Sequence, residues 1–163
     1  MKADIAKEFV GDLLRSHQDE IVRGAFRALL TLDEAATNAV FKEMADTCRA
    51  RFLRMVDFPA DLDLDEFIER MGRAAPPAPQ ISRDGDTIVW REFRDGHCMC
   101  PLVRRGALDL DPKLCACSTE WTRGLVEAFH GGPVEAELLE SVATGSSDCV
   151  FRLTLGPLAS HAP

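Results

Sequence analysis

The stretch Ala74-Ala-Pro-Pro-Ala-Pro79 divides this chain of 163 residues into two halves that differ in periodicity. Closely spaced prolines favour an extended backbone, so the stretch is predicted to be a linker or a strap that crosses the fold. Apolar residues recur at helical spacing before it, and β-branched and aromatic residues dominate after it. The change predicts an α+β fold with a helical segment over residues 1–75 and a cysteine-rich α+β unit over residues 80–156. The two parts form either separate units or one compact domain.

Three helices are predicted before the proline-rich stretch. The first has an apolar stripe that repeats every four residues, which is expected to pack and to include a histidine: Ile5, Phe9, Leu13, His17 and Ile21. A capping box from Thr31 to Glu34 predicts the start of the second helix, where Cys48 is interpreted as a small buried residue. The third helix is predicted to start at Asp63, with Glu66 as its capping partner.

An antiparallel sheet with a packed helix is predicted after that stretch. A turn at Asp84-Gly85 precedes a strand, a helix capped by Ser118 follows, and a hairpin ends the sheet. The predicted ranges are 87–93 for the first strand, 118–130 for the helix, and 134–142 and 149–155 for the hairpin.

The charge balance of the chain is acidic, with a net charge of -8 and a pI of about 5.0. This argues against a nucleic-acid partner, whose phosphates require a basic face. No stretch approaches the ~20 apolar residues of a membrane span, and the N-terminal residues lack the apolar run of a signal peptide. A cytoplasmic location with no membrane partner is therefore predicted. The six cysteines are expected to stay reduced there.

Two tight cysteine pairs carry the strongest chemical signal: Cys98-Met99-Cys100 and Cys115-Ala116-Cys117. A further cysteine, Cys149, begins the last predicted strand. Thiolates are soft ligands that suit zinc, an iron–sulfur cluster or Cu(I). The five cysteines are therefore candidate metal ligands. A closed site of four thiolates would favour binding, whereas three thiolates and an open position would favour catalysis.

Four other residues near the pairs are candidates for the site. His97 directly precedes the first pair, so it is either a ligand, a catalytic base or a loop histidine with no role. Trp90 and Trp121 either pack in the core or wall a small-molecule pocket. His130 either ends the helix before Gly131 or binds a ligand.

Several segments of the second half resemble the 4-vinyl-reductase domain superfamily. They are Cys117-Ser-Thr-Glu-Trp121, Phe129-His-Gly-Gly-Pro-Val134, Glu137-Leu-Leu-Glu-Ser141 and Gly145-Ser-Ser-Asp-Cys149 with the Val-Phe-Arg-Leu that follows. The added Cys98-Met-Cys-Pro-Leu-Val103 and Leu114-Cys-Ala-Cys-Ser118 look closest to a branch related to proteins described as L-2-amino-thiazoline-4-carboxylic acid hydrolase-like. The resemblance covers about residues 80 to 155.

The resemblance implies a small-molecule-binding α+β module that is often a homodimer, with zinc in its sensor members. The first cysteine of their pattern matches Cys115 or Cys117, and the last matches Cys149. Their middle cysteine falls on Ser141, and their acid falls on Leu138 with Glu137 beside it.

Two functions follow as hypotheses. The first is a domain that binds a metal, with zinc preferred, and a small molecule. The second is a hydrolase that opens a small C–N or C–S ring, through either a metal-bound water or a thiolate with His97 as the base. A redox or soft-metal handling protein would use the same thiols.

Overall fold

The structure is a computed structural model that describes residues 2–59, 61–73, 78–92 and 95–158, with side chains from residue 11 onward. The helices are α1 (Lys2–Leu29), α2 (Glu34–Val56), α3 (Leu64–Gly72), α4 (Pro101–Arg104) and α5 (Cys115–His130). The strands are β1 (Gln80–Asp84), β2 (Thr87–Glu92), β3 (Val134–Glu140) and β4 (Cys149–Leu155). Single 3-10 turns lie at Pro112–Leu114 and Val142–Thr144.

The strands form one antiparallel sheet in the order β1-β2-β4-β3. The two central strands align Trp90 with Phe151 and Ile88 with Leu153, and all four side chains are fully buried. The α+β class with an antiparallel sheet is therefore confirmed. The burial along β2 alternates strictly, which explains why a period of two is visible in its sequence.

Helices α3 and α5 cover the buried face of the sheet. Phe67 of α3 stacks on Phe129 of α5 with ring centroids 4.2 Å apart, and it also contacts Trp90 of β2. Leu125 of α5 completes this core with no exposed surface. One hydrophobic core therefore joins a helix from before the proline-rich stretch to the sheet that follows it.

Helix α2 crosses α5 on the outside of this layer. At the contact, the Arg49 guanidinium of α2 occupies the space beside Gly124 of α5, where a Cβ atom would lie 1.6 Å from its Nη1. Arg49 also pairs with Asp46 at 2.9 Å. This crossing fixes the C-terminal half of α2 beside the beginning of α5.

Helix α1 contacts the rest of the chain through its second half, from Asp19, which pairs with Arg105 at 2.7 Å, to its end. Phe26 and Leu29 are buried in a second cluster with Phe41 of α2. Leu13 and Ile21 of the predicted stripe are each 59% exposed, and His17 is exposed as well. The prediction that this stripe and its histidine pack in the core is therefore wrong for the side chains that the structure describes.

The start of α2 also differs from its prediction. Asp33, and not Thr31, caps the helix by accepting a hydrogen bond from the Ala36 N–H at 2.9 Å. The Thr31 hydroxyl instead donates to the carbonyl of Ala28 at the end of α1. By contrast, the capping box that Asp63 and Glu66 form at the start of α3 is confirmed.

The buried face of α2 is formed by Thr37, Phe41 and Ala45. Cys48 is not part of this face, and its side chain is exposed. Its interpretation as a buried packing residue is therefore wrong.

Helix α5 begins three residues before the predicted cap, at Cys115. The Ser118 hydroxyl donates to the Cys115 carbonyl within the helix, so Ser118 is not its N-cap. Residues 74–77 of the proline-rich stretch and Phe93 of the predicted strand lie outside the described residues.

No helix in the described part of the chain is both long enough and apolar enough to span a bilayer.

Candidate functional site

A single cavity of about 390 Å³ is lined by all six cysteines of the chain: Cys48, Cys98, Cys100, Cys115, Cys117 and Cys149. All of them lie in the described part of the chain, and all are free thiols. Most of the remaining lining is apolar. The two predicted cysteine pairs thus lie at one place, together with Cys149 and with a cysteine that the sequence did not assign to the site.

The pairing of β2 with β4 brings the first cysteine pair toward Cys149. Cys149 is aligned with Glu92, the last residue of β2, so the chain that leaves β2 starts beside it. The Gly96 N–H then donates to the carbonyl of Ser147 at 2.9 Å, which ties this loop to the connection before β4. Cys98 therefore enters the cavity next to the beginning of β4.

The second residue of the first pair caps the short helix α4. Cys100 is the N-cap and Pro101 occupies the first turn, where a missing N–H costs nothing. The Cys100 N–H points back to Cys98 Sγ at 3.4 Å. This N–H···S contact stabilises negative charge on the Cys98 sulfur.

Cys115 lies beside a buried hydroxyl. Its Sγ is 3.0 Å from Oγ of Ser141, and that oxygen also accepts the Ala143 N–H at 3.0 Å. Burial raises the pKa of the Cys115 thiol, and the contact with Ser141 partly offsets this. Nearby Cys149 and Asp111 raise the same pKa further by charge repulsion.

Cys117 lies at the same cavity, and its electrostatic partners are Cys48, Cys100 and Cys98. Burial raises the pKa of its thiol to about 12, with further contributions from Cys48, Cys100 and Cys98. The pKa values of Cys48 and Cys98 are also raised, in each case mainly by burial. These thiols are therefore neutral at pH 7 unless a cation stabilises their thiolates.

The sulfurs share the cavity without converging on one point. Among the residues that the structure describes, no three His, Cys, Asp or Glu side chains are grouped closely enough to hold a metal ion. Cysteine side chains have three staggered rotamers, so a cation could draw sulfurs together by rotation about χ1. The chemistry of the donor set suits a soft cation, because thiolates are the ligands that such ions prefer.

An aromatic pair forms part of the apolar wall. Phe52 of α2 and Trp121 of α5 meet edge to face with ring centroids 5.4 Å apart, and both line the cavity. The contact between α2 and α5 thus forms the aromatic wall. It also brings Cys48, which is one turn before Phe52, to the cavity. Trp121, which the sequence analysis gave as a candidate wall of a small-molecule pocket, lines this cavity.

The other predicted ligand-binding residues lie away from the cavity. Trp90 has no exposed surface, and its indole N–H donates to the Glu92 carboxylate at 2.7 Å in the core. His130 lies at the far end of α5, where its Nε2 donates to the carbonyl of Gly156 at 2.7 Å. Neither side chain lines the cavity.

His97 is exposed and does not line the cavity either, although Cys98 next to it does. Any catalytic role for His97 would therefore need the loop that carries it to turn inward.

Sequence reasoning missed Cys48, Arg51 and Ser141 as cavity residues. Cys48, Arg51 and Phe52 lie on one face of α2, and their helical spacing is the sequence feature that could have indicated a shared site. That signal is ambiguous, since helical spacing alone does not say which face meets a cavity. Sequence reasoning singled out Ser141 only as the position where the sensor members of the resembled superfamily have a cysteine.

Comparisons with family models and with curated proteins give no match for this chain. Among the solved structures that it resembles is a trafficking protein particle complex subunit 3 from Naegleria fowleri covalently bound to palmitic acid. The two chains are 14% identical with a TM-score of 0.52, over 88% of this chain and 98% of the other. An H-NOX protein from S. oneidensis in the Fe(II)NO ligation state matches with 16% identity and a TM-score of 0.48, over 88% of this chain and 76% of the other. The similarity to the trafficking subunit shows a shared α+β fold.

Proposed function

We propose that this protein binds a soft metal ion, zinc in the first place, and a small molecule in the cysteine-lined cavity. The observation that carries the proposal is that six thiols line one apolar cavity. They come from α2, the loop before α4, α5 and β4. Free cysteines are often buried singly as small hydrophobic residues. Packing alone does not explain why every cysteine of the chain lines the same cavity.

The first candidate ligands are Cys98, Cys115 and Cys149. Burial raises the pKa of Cys98, and weaker charge repulsion from Cys100, Cys149 and Cys115 adds to it, which supports including Cys115 and Cys149 with Cys98. Cys100 and Cys117 are the candidates for a fourth ligand, because both also interact electrostatically with Cys98. A divalent cation would offset the burial that keeps these thiols protonated.

The resemblance to the 4-vinyl-reductase superfamily is retained as part of this proposal. In its zinc-containing members a cysteine occupies the position of Ser141, and here the Ser141 hydroxyl lies 3.0 Å from Cys115 Sγ. A side chain at position 141 is therefore well placed to act beside the first thiol of the set. The small-molecule part of the proposal rests on the aromatic wall of Phe52 and Trp121.

Metal content of the purified protein tests the proposal. The protein is purified under reducing, oxygen-free conditions and analysed by inductively coupled plasma mass spectrometry for zinc, iron and copper. Cys98→Ser, Cys115→Ser and Cys149→Ser should each lose most of the metal. Cys48→Ser is the matched control, since it removes a thiol from the same cavity and should keep the metal.

A protein that holds none of the three metals, as purified or after reconstitution, would contradict the metal part of the proposal. Retention of a full metal complement by all three serine variants would contradict the ligand assignment. Detection of iron with acid-labile sulfide, or of copper as Cu(I), would show that the cofactor is an iron–sulfur cluster or copper instead of zinc.

A hydrolase that opens a small C–N or C–S ring is the second candidate. It is favoured by the hydroxyl of Ser141 beside Cys115, because a metal held by three thiolates alone would keep a fourth position for water or substrate. Release of a thiol from a thiazoline carboxylate would be followed with a thiol reagent. His97→Ala should abolish that turnover if His97 is the base, and leave it unchanged if His97 is a loop histidine.

A further inference from the structure

We infer that the small molecule is an apolar monocarboxylate whose carboxylate binds Arg51 at the mouth of the cavity. The inference rests on the small-molecule part of the proposed function and does not require the metal. It assigns the class of ligand from the walls of the cavity and from its charged groups.

The walls select an apolar body. Phe52 and Met55 from α2, Leu114 before α5 and Trp121 on α5 all line the cavity. A volume of about 390 Å³ lies within the range in which protein pockets enclose most of a small organic ligand. Apolar contact over such walls is the main source of affinity for a ligand of this kind.

Two charged residues, Arg51 and Asp111, line the cavity within the described part of the chain. The Asp111 carboxylate already accepts the Lys113 N–H at 2.8 Å, where it caps the turn before α5. Within the same described part, Arg51 forms no ion pair or hydrogen bond. Arg49, two residues earlier, is paired with Asp46. Among the described residues that line the cavity, Arg51 is therefore the one cation, and it is unpaired. A second anionic group on the ligand would find no cation there.

The position of Arg51 suits a carboxylate at one end of the ligand. Arg51 is exposed, lines the cavity and lies one turn from both Cys48 and Met55, so a charged group of a ligand can meet it without being buried. A guanidinium binds a carboxylate through two parallel hydrogen bonds. Ligands with two or more negative charges are disfavoured, because Asp111 lies on the same cavity.

Calorimetric titration with decanoate and with decan-1-ol tests the inference on the full-length protein as purified. The two probes share an apolar chain and differ in the carboxylate. Decanoate should bind about fivefold to tenfold more tightly than decan-1-ol, the effect of one partly exposed charge-assisted pair. Arg51→Gln should abolish this preference and leave the affinity for decan-1-ol unchanged.

Arg54→Gln is the matched control, because Arg54 is an exposed arginine on the same helix that does not line the cavity. It should keep the preference for decanoate. Failure of both probes to bind, equal affinity for both, or an unchanged preference in Arg51→Gln would each overturn the inference.

A chelator-treated sample separates this inference from the metal proposal. If the preference for decanoate disappears with the metal but persists in Arg51→Gln, the carboxylate binds the metal and the inference is overturned. If the chelator-treated protein still prefers decanoate through Arg51, the inference stands, and the metal part of the proposed function is decided separately by the metal analysis.

Discussion

Cys117 is the thiol whose ionisation is most strongly affected by its surroundings. Burial raises its pKa to about 12 in the folded protein from 9.0 in the unfolded chain. The unfolded chain thus releases this proton at a lower pH than the folded protein does. The resulting stability is complete below a pH of about 9 and is lost as the pH rises toward about 12.

Metal-free protein is therefore predicted to lose free energy of unfolding as the pH rises above about 9. Cys117→Ala should flatten this fall, because it removes the group that titrates differently in the two states. Urea unfolding with chelator and reductant, repeated across this pH range, measures the slope. Ser147→Ala is the control, and an equal slope in Cys117→Ala and in the parent protein would contradict the prediction.

Ser141 offers a second test at the scale of one residue. Ser141→Cys would place a thiol beside Cys115, where the resemblance implies a cysteine in zinc-containing proteins. The added ligand is predicted to tighten zinc binding by roughly tenfold, equivalent to about 1.4 kcal/mol. Competition with a chromophoric chelator measures the affinity.

The exposed Ser147→Cys serves as the control for Ser141→Cys, since it adds a thiol outside the cavity. Equal zinc affinities of the two variants would show that position 141 does not reach the metal.

Among the elements, α2 contributes Cys48, Arg51, Phe52 and Met55 to the lining of the cavity. Asp33 supplies the side chain that caps the start of α2, and the Thr31 hydroxyl binds the end of α1 instead. Asp33→Ala is predicted to lower the free energy of unfolding by about 1 kcal/mol. Thr31→Ala should change it by less than about 0.5 kcal/mol, as for most surface substitutions.

Denaturant unfolding of the two variants and the parent protein measures this difference. A larger loss of unfolding free energy from Thr31→Ala than from Asp33→Ala would show that Thr31, and not Asp33, caps the helix.

At the scale of the whole molecule, the exposed part of α1 is the feature that the monomer leaves unexplained. Leu13, Leu14 and Ile21 are each more than half exposed along this helix. An exposed apolar stripe on a helix is a candidate contact surface for a second copy of the chain.

The homodimer implied by the resemblance stays a prediction, and α1 is its predicted interface. Ile21→Glu should convert the protein to a monomer, because it places a charge within the apolar contact. Sedimentation velocity of Ile21→Glu and of the parent protein measures the assembly state. Ser16→Glu, an exposed change on the same helix, should remain a dimer. A parent protein that sediments as a monomer would contradict the prediction.

The amino-acid sequence by itself determined the fold class. Strict alternation along β2 and the capping box at Asp63 are local patterns, so they can be recognised without tertiary contacts. The density of thiols around Cys98 and Cys115 likewise indicated the residues that line the cavity.

Only the tertiary structure decided which side chains share the cavity. Cys48 and Arg51 reach it because α2 crosses α5 at Gly124, a contact between segments more than 70 residues apart. Trp90, expected near a ligand, is instead enclosed by Phe67 and the central strands. Periodicity indicates that a helix or strand has an apolar face, but the partner of that face depends on how distant elements pack, and this packing is not encoded in any local pattern.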